Sequence, residues 1–237
     1  MTPAAPPPFD VVTAAGIAIV ALAVAARVVW IWRRHLPATA ARATWAIALW
    51  MLGTGALAGS GGLARLDLVP PPAALLIVSV LALGIGIGVS RVGAALAAAV
   101  PLATLVELQL FRLPLEILMH RAGEIGIMPP ELSYGGYNLD IVTGATALAL
   151  TLAMHEGVTV PRPVLWAWNL WGLWCLAVIA GIAVATSPMV RAFGDDPRHV
   201  NTWVLHLPYV WLPAVLVLVA LAGHVVTTRA LLAHRRA

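Results

Sequence analysis

Four polar side chains recur along one face of a predicted apolar helix: Gln109, Arg112, Glu116 and His120. Each residue of an α-helix advances about 100°, so these positions fall within roughly 80° of one another, whereas Glu107 falls on the opposite side. Charged side chains in a membrane helix are costly and normally face a protein interior or a wet cavity. The spacing therefore predicts the wall of a polar cavity, with a kink at the proline inside it.

Further polar residues begin two later apolar segments at the same predicted membrane level. They are Asn138 and Asp140 in one segment, and His206 and Tyr209 in the other, with Tyr134 and Tyr137 in the loop above. If these helices are neighbours, their side chains form an outward-facing polar pocket. The predicted ligand-binding residues are Arg112, Glu116, Tyr137, Asn138, Asp140 and Tyr209. A guanidinium in such a pocket suits a carboxylate or another anionic group.

The same region offers ligands for a divalent metal such as zinc or iron. The candidate set is Glu116, His120, Asp140 and His206. A metal-bound water would attack an ester or amide, with a spare carboxylate as base. The Glu-xxx-His spacing lacks the paired histidines of the zincin motif. A metal-dependent, hydrolase-like enzyme is therefore an alternative to a binding or transport protein.

Two other interpretations use the same residues. Arg112 and Glu116 are spaced i, i+4, which is also typical of a buried ion pair that only fixes helix register. Such a chain would be a structural or assembly partner. A proton relay would instead run from Glu116 and His120 on one side to His155 and His224 on the other, although few polar groups, Asn169 among them, lie between them. His155 and His224 also lie at one predicted level, as a pair of haem-ligating histidines would.

The elements that position these residues are membrane helices. The chain is 61% hydrophobic and 10% charged, with a mean hydropathy of +0.93, which excludes an ordinary soluble globule. Seven apolar blocks are predicted, over residues 11–32, 44–58, 73–90, 94–119, 139–154, 164–186 and 205–228. The second block is short, so the number of spans is six if it is re-entrant. In the third block, Gly84 and Gly88 form a small-xxx-small face that predicts close helix packing. Residues 1–237 are predicted to form one all-α transmembrane domain.

The arginines predict the orientation of this bundle. The chain has fourteen arginines and no lysine, which excludes a retinal Schiff base. One side carries Arg33, Arg34, Arg42, Arg91, Arg162, Arg229, Arg235 and Arg236, and the other carries Arg65, Arg121, Arg191 and Arg198. Basic loops stay cytoplasmic, so the N-terminus is predicted outside and the C-terminus inside. This distribution indicates a lipid bilayer, and not nucleic acid, as the partner of the basic charge.

One segment carries a resemblance. Residues 111–116 and His120 form the pattern FRxPxExxxH, and Met128-Pro129 and residues 136–141 follow it. This stretch resembles segments of uncharacterised bacterial integral membrane proteins. The resemblance implies a multi-pass protein of a bacterial inner membrane and carries no activity. The leading hypothesis is a pocket that binds or transports a small polar or amphipathic ligand.

Overall fold

The chain is all-helical over residues 4–233, which are the residues that the computed structural model describes. The α-helices are α1 Val11–His35, α2 Pro37–Gly59, α3 Pro72–Val89, α4 Arg91–Ala99, α5 Leu102–Glu107, α6 Arg112–Glu124, α7 Asp140–His155, α8 Arg162–Ala185 and α9 Leu218–Ala233. Short 3₁₀ turns lie at Gly62–Ala64, Leu108–Phe111, Pro130–Leu132, Pro197–His199 and Trp203–Leu205, and a π-helix at Leu212–Val217 leads into α9. The all-α prediction is confirmed.

Four of the described helices are long and apolar enough to cross a membrane. They are α1, α3, α8 and the continuous helix Leu212–Ala233, and a bent pair that joins α4 to Leu102–Glu124 makes a fifth if it counts as one span. Helix α7 is apolar but has only 16 residues. Helix α2 has 23 residues, but its threonines, glycines and Arg42 dilute its hydropathy. The chain is therefore a membrane protein by the length and composition of its helices.

The fourth predicted block is wrong as one continuous helix. Helix α4 ends at Ala99, and its axis is bent by 114° from the segment Leu102–Glu124. Val100 adopts an extended conformation, with φ −92° and ψ 127°, because the proline that follows it disfavours helical geometry. Pro101 also has no N–H to continue the backbone ladder. Helix α4 begins at Arg91, where Ser90 caps it by accepting the backbone N–H groups of Val92 and Gly93.

Helix geometry is irregular immediately before the polar residues of α6. The 3₁₀ turn Leu108–Phe111 joins α5 to α6, and Pro114 lies in the first turn of α6. Proline cannot donate to the carbonyl four residues back, and its ring crowds that carbonyl. The carbonyl in question belongs to Leu110, inside the 3₁₀ turn, so the predicted disturbance of the helix occurs at this point.

Small residues let α3 lie directly against α9. A Cβ at position 88 would lie 2.5 Å from the Cβ of Val225, and one at position 84 would lie 2.9 Å from the Leu221 side chain. These distances confirm the predicted use of Gly84 and Gly88 for close helix packing. The guanidinium of Arg229 then donates to the carbonyls of Gly88 and Ser90 and satisfies the end of α3.

A charged contact holds the start of α1. At the α1 start, the Asp10 carboxylate accepts from Thr13 N–H at 2.8 Å and from Arg121 Nη2 at 3.0 Å, which ties α1 to the end of α6.

Large apolar side chains on α2 face outward, with Trp45 and Leu52 at 68% and 70% exposure. Such a face suits lipid. Arg235 and Arg236, which enter the predicted orientation, lie outside the described residues.

Candidate functional site

Arg112 is the centre of the candidate site. It begins α6 and is 1% exposed. Its Nε donates to Oδ2 of Asp140 on α7 at 2.7 Å, and its Nη1 donates to Nε2 of His224 on α9 at 2.8 Å. An arginine this deeply buried is stable only when its charge is paired and its N–H groups are bonded. Three helices therefore converge on one guanidinium.

A glycine explains how α7 comes close enough to α6. A Cβ at position 144 would lie 2.5 Å from the Leu113 backbone nitrogen and 3.0 Å from the Arg112 carbonyl carbon. Only glycine permits this backbone-to-backbone approach. Asp140 lies one helical turn before Gly144 on α7 and so stands beside Arg112. Its place in the first turn of α7 also puts a negative charge at the positive end of that helix.

The hydrogen bonds of His224 fix its protonation state. Arginine has no acceptor, so Nε2 of His224 must accept from Arg112, and Nδ1 must carry the proton that it donates to Oδ1 of Asn169 at 2.9 Å. The Asn169 amide then donates to Thr228 Oγ1 at 2.8 Å. A Cβ at position 172 would overlap the His224 ring, so Gly172 on α8 makes room for it. The imidazole is thus neutral and held from both sides.

Glu116 and Asn138 extend the cluster toward the loop before α7. The Asn138 side-chain amide donates to Glu116 Oε1 at 2.8 Å and to the Leu132 carbonyl at 3.1 Å. Its Oδ1 accepts the Asp140 backbone N–H at 3.1 Å. Both Glu116 and Asn138 are 1% exposed. The cluster of Arg112, Glu116, Asn138, Asp140, Asn169 and His224 is called the Arg112 centre below.

Three polar atoms of the Arg112 centre find no hydrogen-bond partner among residues 4–233. They are Nη2 of Arg112, Oε2 of Glu116 and Oδ1 of Asp140, and all three are buried. The three residues line a cavity of about 30 Å³, whose other walls include Leu176 and Leu216. That volume is close to the space of one water molecule. Buried groups without partners are costly, so this cavity is the natural place for a water or for one polar group of a ligand.

The centre cannot pass protons from end to end. The chain of hydrogen bonds runs from Asp140 through Arg112 and His224 to Asn169, but Arg112 only donates and cannot take up a proton. His155, the other predicted inner member of a relay or histidine pair, is exposed at the end of α7, whereas His224 is fully buried. The arrangement instead provides a fixed positive charge with one free donor.

The structure brings together only part of the predicted pocket. Arg112, Glu116, Asn138 and Asp140 meet, and Gln109 is buried behind them. The predicted ion pair of Arg112 with Glu116 is wrong, because Arg112 bonds to Asp140 and Glu116 bonds to Asn138. The Cβ bonds of a helix carry i and i+4 side chains to one face, but the partner that reaches the guanidinium is set by the neighbouring helix.

The two predicted tyrosines lie elsewhere. Tyr137 is 60% exposed and stacks on Phe193 with ring centres 5.9 Å apart. Tyr209 is buried against Trp203, with ring centres 5.0 Å apart, and burial raises the pKa of its phenol. Within residues 4–233, neither hydroxyl bonds to the Arg112 centre, and the Tyr209 hydroxyl finds no hydrogen-bond partner. Both residues lie in or beside turns, and helical periodicity in the sequence does not predict how the backbone runs through a turn.

The predicted metal ligands are not assembled. Within residues 4–233, no three His, Cys, Asp or Glu side chains are grouped so as to hold a metal ion. The His120 ring stacks on Tyr134 at 4.2 Å and lies 3.5 Å from Glu124, on the loop side of α6. His206 lies before the last helix, where burial lowers its pKa. The set of Glu116, His120, Asp140 and His206 is therefore divided between the centre and its periphery.

Sequence reasoning gave His224 and Asn169 only as members of a relay. The structure places both inside the centre, with His224 in the middle of the last span. Three glycines are the feature of the sequence that indicates close contacts between helices in this region. Gly144 admits the backbone of α6, Gly172 admits the His224 ring, and a Cβ at position 223 would lie 2.5 Å from Nε2 of Gln109. Gly172 and Gly223 each face a buried polar side chain, and Gly144 faces the backbone that carries Arg112.

A second, larger cavity lies on the other face of α9. It measures about 620 Å³ and runs between α2 and α3, over a floor of α1 and α9, with α4 at one end. Its walls are almost wholly apolar, and they include Trp32, Trp50, Leu83 and Val92. Leu83 and Val92 are 40% and 45% exposed, so the cavity reaches the surface. It is called the α2–α3 groove below.

Comparison of the chain with protein-family models, with curated proteins and with solved structures finds no match.

Proposed function

We propose that this chain is a multi-pass protein of a bacterial inner membrane that binds or transports a small polar or amphipathic ligand at the Arg112 centre. The ligand's anionic group would take the free Nη2 of Arg112, and a hydroxyl or amine of the ligand would bond to Oε2 of Glu116. The observation that carries the proposal is that these two buried atoms lack partners beside a cavity. Ionisable side chains inside a membrane protein are rare, and they usually face the bundle interior or a cavity and mark functional sites.

Access to the centre requires helix movement, because a cavity of about 30 Å³ holds no more than one small group. The π-helix Leu212–Val217 borders that cavity through Leu212 and Leu216. Irregular turns of this kind are frequent at functional sites, where a change of backbone register moves side chains. The proposal treats the described conformation as the closed one, with access from the loop that contains Asn138.

The test is ligand-dependent stabilisation of the purified protein. Panels of carboxylates, phosphate esters and amino acids are screened by thermal unfolding in detergent, and a ligand present at 100 times its Kd should add about 2.7 kcal/mol of stability. The effect should vanish in Arg112→Gln and persist in Arg121→Gln, a matched change at an exposed arginine of the same helix. Stabilisation that survives Arg112→Gln would refute this site.

The variant Glu116→Gln keeps the test informative if Arg112→Gln folds poorly. It preserves the size of the side chain and an oxygen that can accept from Asn138, while replacing the carboxyl group by an amide. The proposal expects altered selectivity among ligands in this variant, with cationic or amine-bearing compounds losing most of their effect. If no compound in the panels stabilises the wild type at any concentration, that result would also count against the proposal.

A structural role for the same residues is the second candidate. It is favoured by the observation that two of the guanidinium's nitrogens are hydrogen-bonded, at 2.7 Å and 2.8 Å, to separate helices. In this role Arg112 only fixes the packing of α6, α7 and α9, and the chain is a structural or assembly partner. It predicts that replacement of both Arg112 and Asp140 by apolar residues restores the stability that either single change removes.

The metal-dependent enzyme stays a prediction from the sequence. Its test is elemental analysis of the detergent-purified wild type beside His120→Ala. One equivalent of zinc or iron in the wild type only would support it. Metal in neither protein, after purification without chelators, would contradict it.

The topology that accompanies the proposal has seven crossings, with the N-terminus outside. In it, α4 lies at the inner interface, and α5 and α6 together form the fourth crossing. An impermeant thiol reagent applied to intact cells should label Ser60→Cys and Ala192→Cys, and it should spare Thr39→Cys, all in a Cys175→Ala background. No labelling of Ser60→Cys would mean that α2 does not cross, which leaves six spans. Labelling of Thr39→Cys alone would reverse the orientation.

A further inference from the structure

The α2–α3 groove has the dimensions of a single lipid chain. On its α9 wall it extends from Ala214 to Val226. Twelve residues of helix rise roughly 18 Å, whereas the whole hydrocarbon core of a bilayer is about 30 Å thick. The groove therefore spans roughly one leaflet. It reaches the lipid-facing surface through Leu83 on α3, so a chain can enter sideways without crossing polar structure.

One end of the groove is basic. Arg33 follows Trp32, Arg42 precedes Ala43, and Arg91 lies between Ser90 and Val92. Each of these neighbouring residues lines the groove. The three arginines are exposed, and none of them pairs with a carboxylate within residues 4–233. This contrasts with Arg27, Arg65, Arg121, Arg191 and Arg198, each of which pairs with an acidic side chain.

We infer that the α2–α3 groove binds an anionic phospholipid of the leaflet at the α4 end, with one acyl chain in the groove and the phosphate against Arg33, Arg42 and Arg91. The apolar walls match the chain, and the unpaired positive charges match the headgroup. In the proposed orientation this end is cytoplasmic, where anionic lipid attracts basic residues. The lipid site lies on the other face of α9 from the Arg112 centre and does not depend on the ligand proposed there.

Gly86 provides a way to close the groove without disturbing the fold. It lines the groove, and a Cβ added there would have no heavy atom within 4 Å. The matched control is Gly181 on α8, which is also exposed near the end of a helix and also has open space around its Cβ position. Gly86→Leu should fill the groove, whereas Gly181→Leu adds the same side chain elsewhere.

The experiment is native mass spectrometry of the protein after exchange into neutral detergent with an equimolar mixture of phosphatidylglycerol and phosphatidylcholine that carry the same chains. The wild type and Gly181→Leu should retain one phosphatidylglycerol. Gly86→Leu should retain neither lipid. Arg33→Gln, Arg42→Gln and Arg91→Gln should each reduce the preference for the anionic lipid about fivefold while the chain still binds. Arg198→Gln, at the opposite end, should leave the preference unchanged.

Three results would overturn the inference. The first is equal retention of the two lipids by the wild type, which would remove the headgroup contact. The second is undiminished phosphatidylglycerol in Gly86→Leu, with Leu83→Trp as a second groove-filling variant if the first one unfolds. The third is a dimer that Gly86→Leu dissociates, which would make a second copy of the chain, and not a lipid, the occupant. Thermal stabilisation by ligands of the Arg112 centre is unaffected by any of these variants, so the two proposals fail separately.

Discussion

Helix α9 separates two cavities, of which the small one is bordered by three charged side chains and the large one by none. On one face His224 accepts from Arg112 beside a cavity of about 30 Å³, and on the other face Ala222 and Val226 line a groove of about 620 Å³. The polar cavity is small because charges can be buried only where nearly every group has a partner. The apolar groove is wide because lipid can fill it at little cost. In this bundle, large volume and strong charge are therefore found in different places.

The arginines show the same contrast. Arg112 is buried and bonded to Asp140 and His224, whereas Arg33, Arg42 and Arg91 are exposed and have no acidic partner in the described part of the chain. A buried charge contributes to structure through its specific partners, and an exposed one contributes to the field at a membrane surface. Changes at the first kind should alter folding, and changes at the second kind should alter only binding.

The largest expected effect comes from breaking the pair at the Arg112 centre. Asp140→Leu leaves a buried guanidinium without its counter-charge and should lower the free energy of unfolding by about 3–5 kcal/mol. Arg112→Met with Asp140→Leu should be less harmful than the sum of the two single changes. The measurement is reversible unfolding in mixed detergent micelles. Simple addition of the two effects would show that the ion pair contributes nothing to folding.

The next effect comes from filling the space that Gly172 leaves for the imidazole. Gly172→Ala should destabilise the protein by about 1–3 kcal/mol, because the added methyl group overlaps the His224 ring. Gly181→Ala on the same helix meets nothing within 4 Å and should be neutral. The same unfolding assay serves both. Combining Gly172→Ala with His224→Ala should cost less than the two separate changes, and full additivity would mean that the ring does not occupy this space.

A smaller and sharper comparison uses two glycines of α3. Gly88→Ala should cost about 1–2 kcal/mol, because the new Cβ would meet Val225 on α9 at 2.5 Å. Gly86→Ala, two residues away, faces the groove and should leave stability unchanged. Thermal unfolding of the two variants side by side measures the difference. Equal stability would mean that α3 does not pack on α9 through this face.

The smallest effect is at the surface and depends on pH. Pairing with Arg121 holds the pKa of Asp10 well below its usual 3.8. Because the folded pKa is the lower one, the pair stabilises the folded protein above about pH 4 and loses this contribution as the pH falls further. The melting temperature should therefore decline more steeply below pH 4 in the wild type than in Arg121→Gln. Arg91→Gln, which removes an unpaired arginine, should keep the wild-type slope.

Much of the fold follows from one-dimensional rules. Apolar block length predicts membrane helices, and a 100° step per residue places Gln109, Arg112 and Glu116 on one buried face. Pro101 also predicts a break in the helix, because proline and the residue before it both disfavour helical geometry. The continuous hydropathy of residues 94–119 nevertheless favoured a single helix. A hydropathy average over a window of residues does not show the loss of one backbone N–H at a proline.

The sequence by itself determined that this is a helical membrane protein, that Arg112 and Glu116 face inward, and that Gly84 and Gly88 allow close packing. Only the tertiary structure decided that Arg112 pairs with Asp140 and His224, since partners on other helices depend on how backbones approach at Gly144 and make room at Gly172. It also decided that a groove opens between α2 and α3. Periodicity defines which face of each helix is polar, whereas contacts between helices arise from packing in three dimensions.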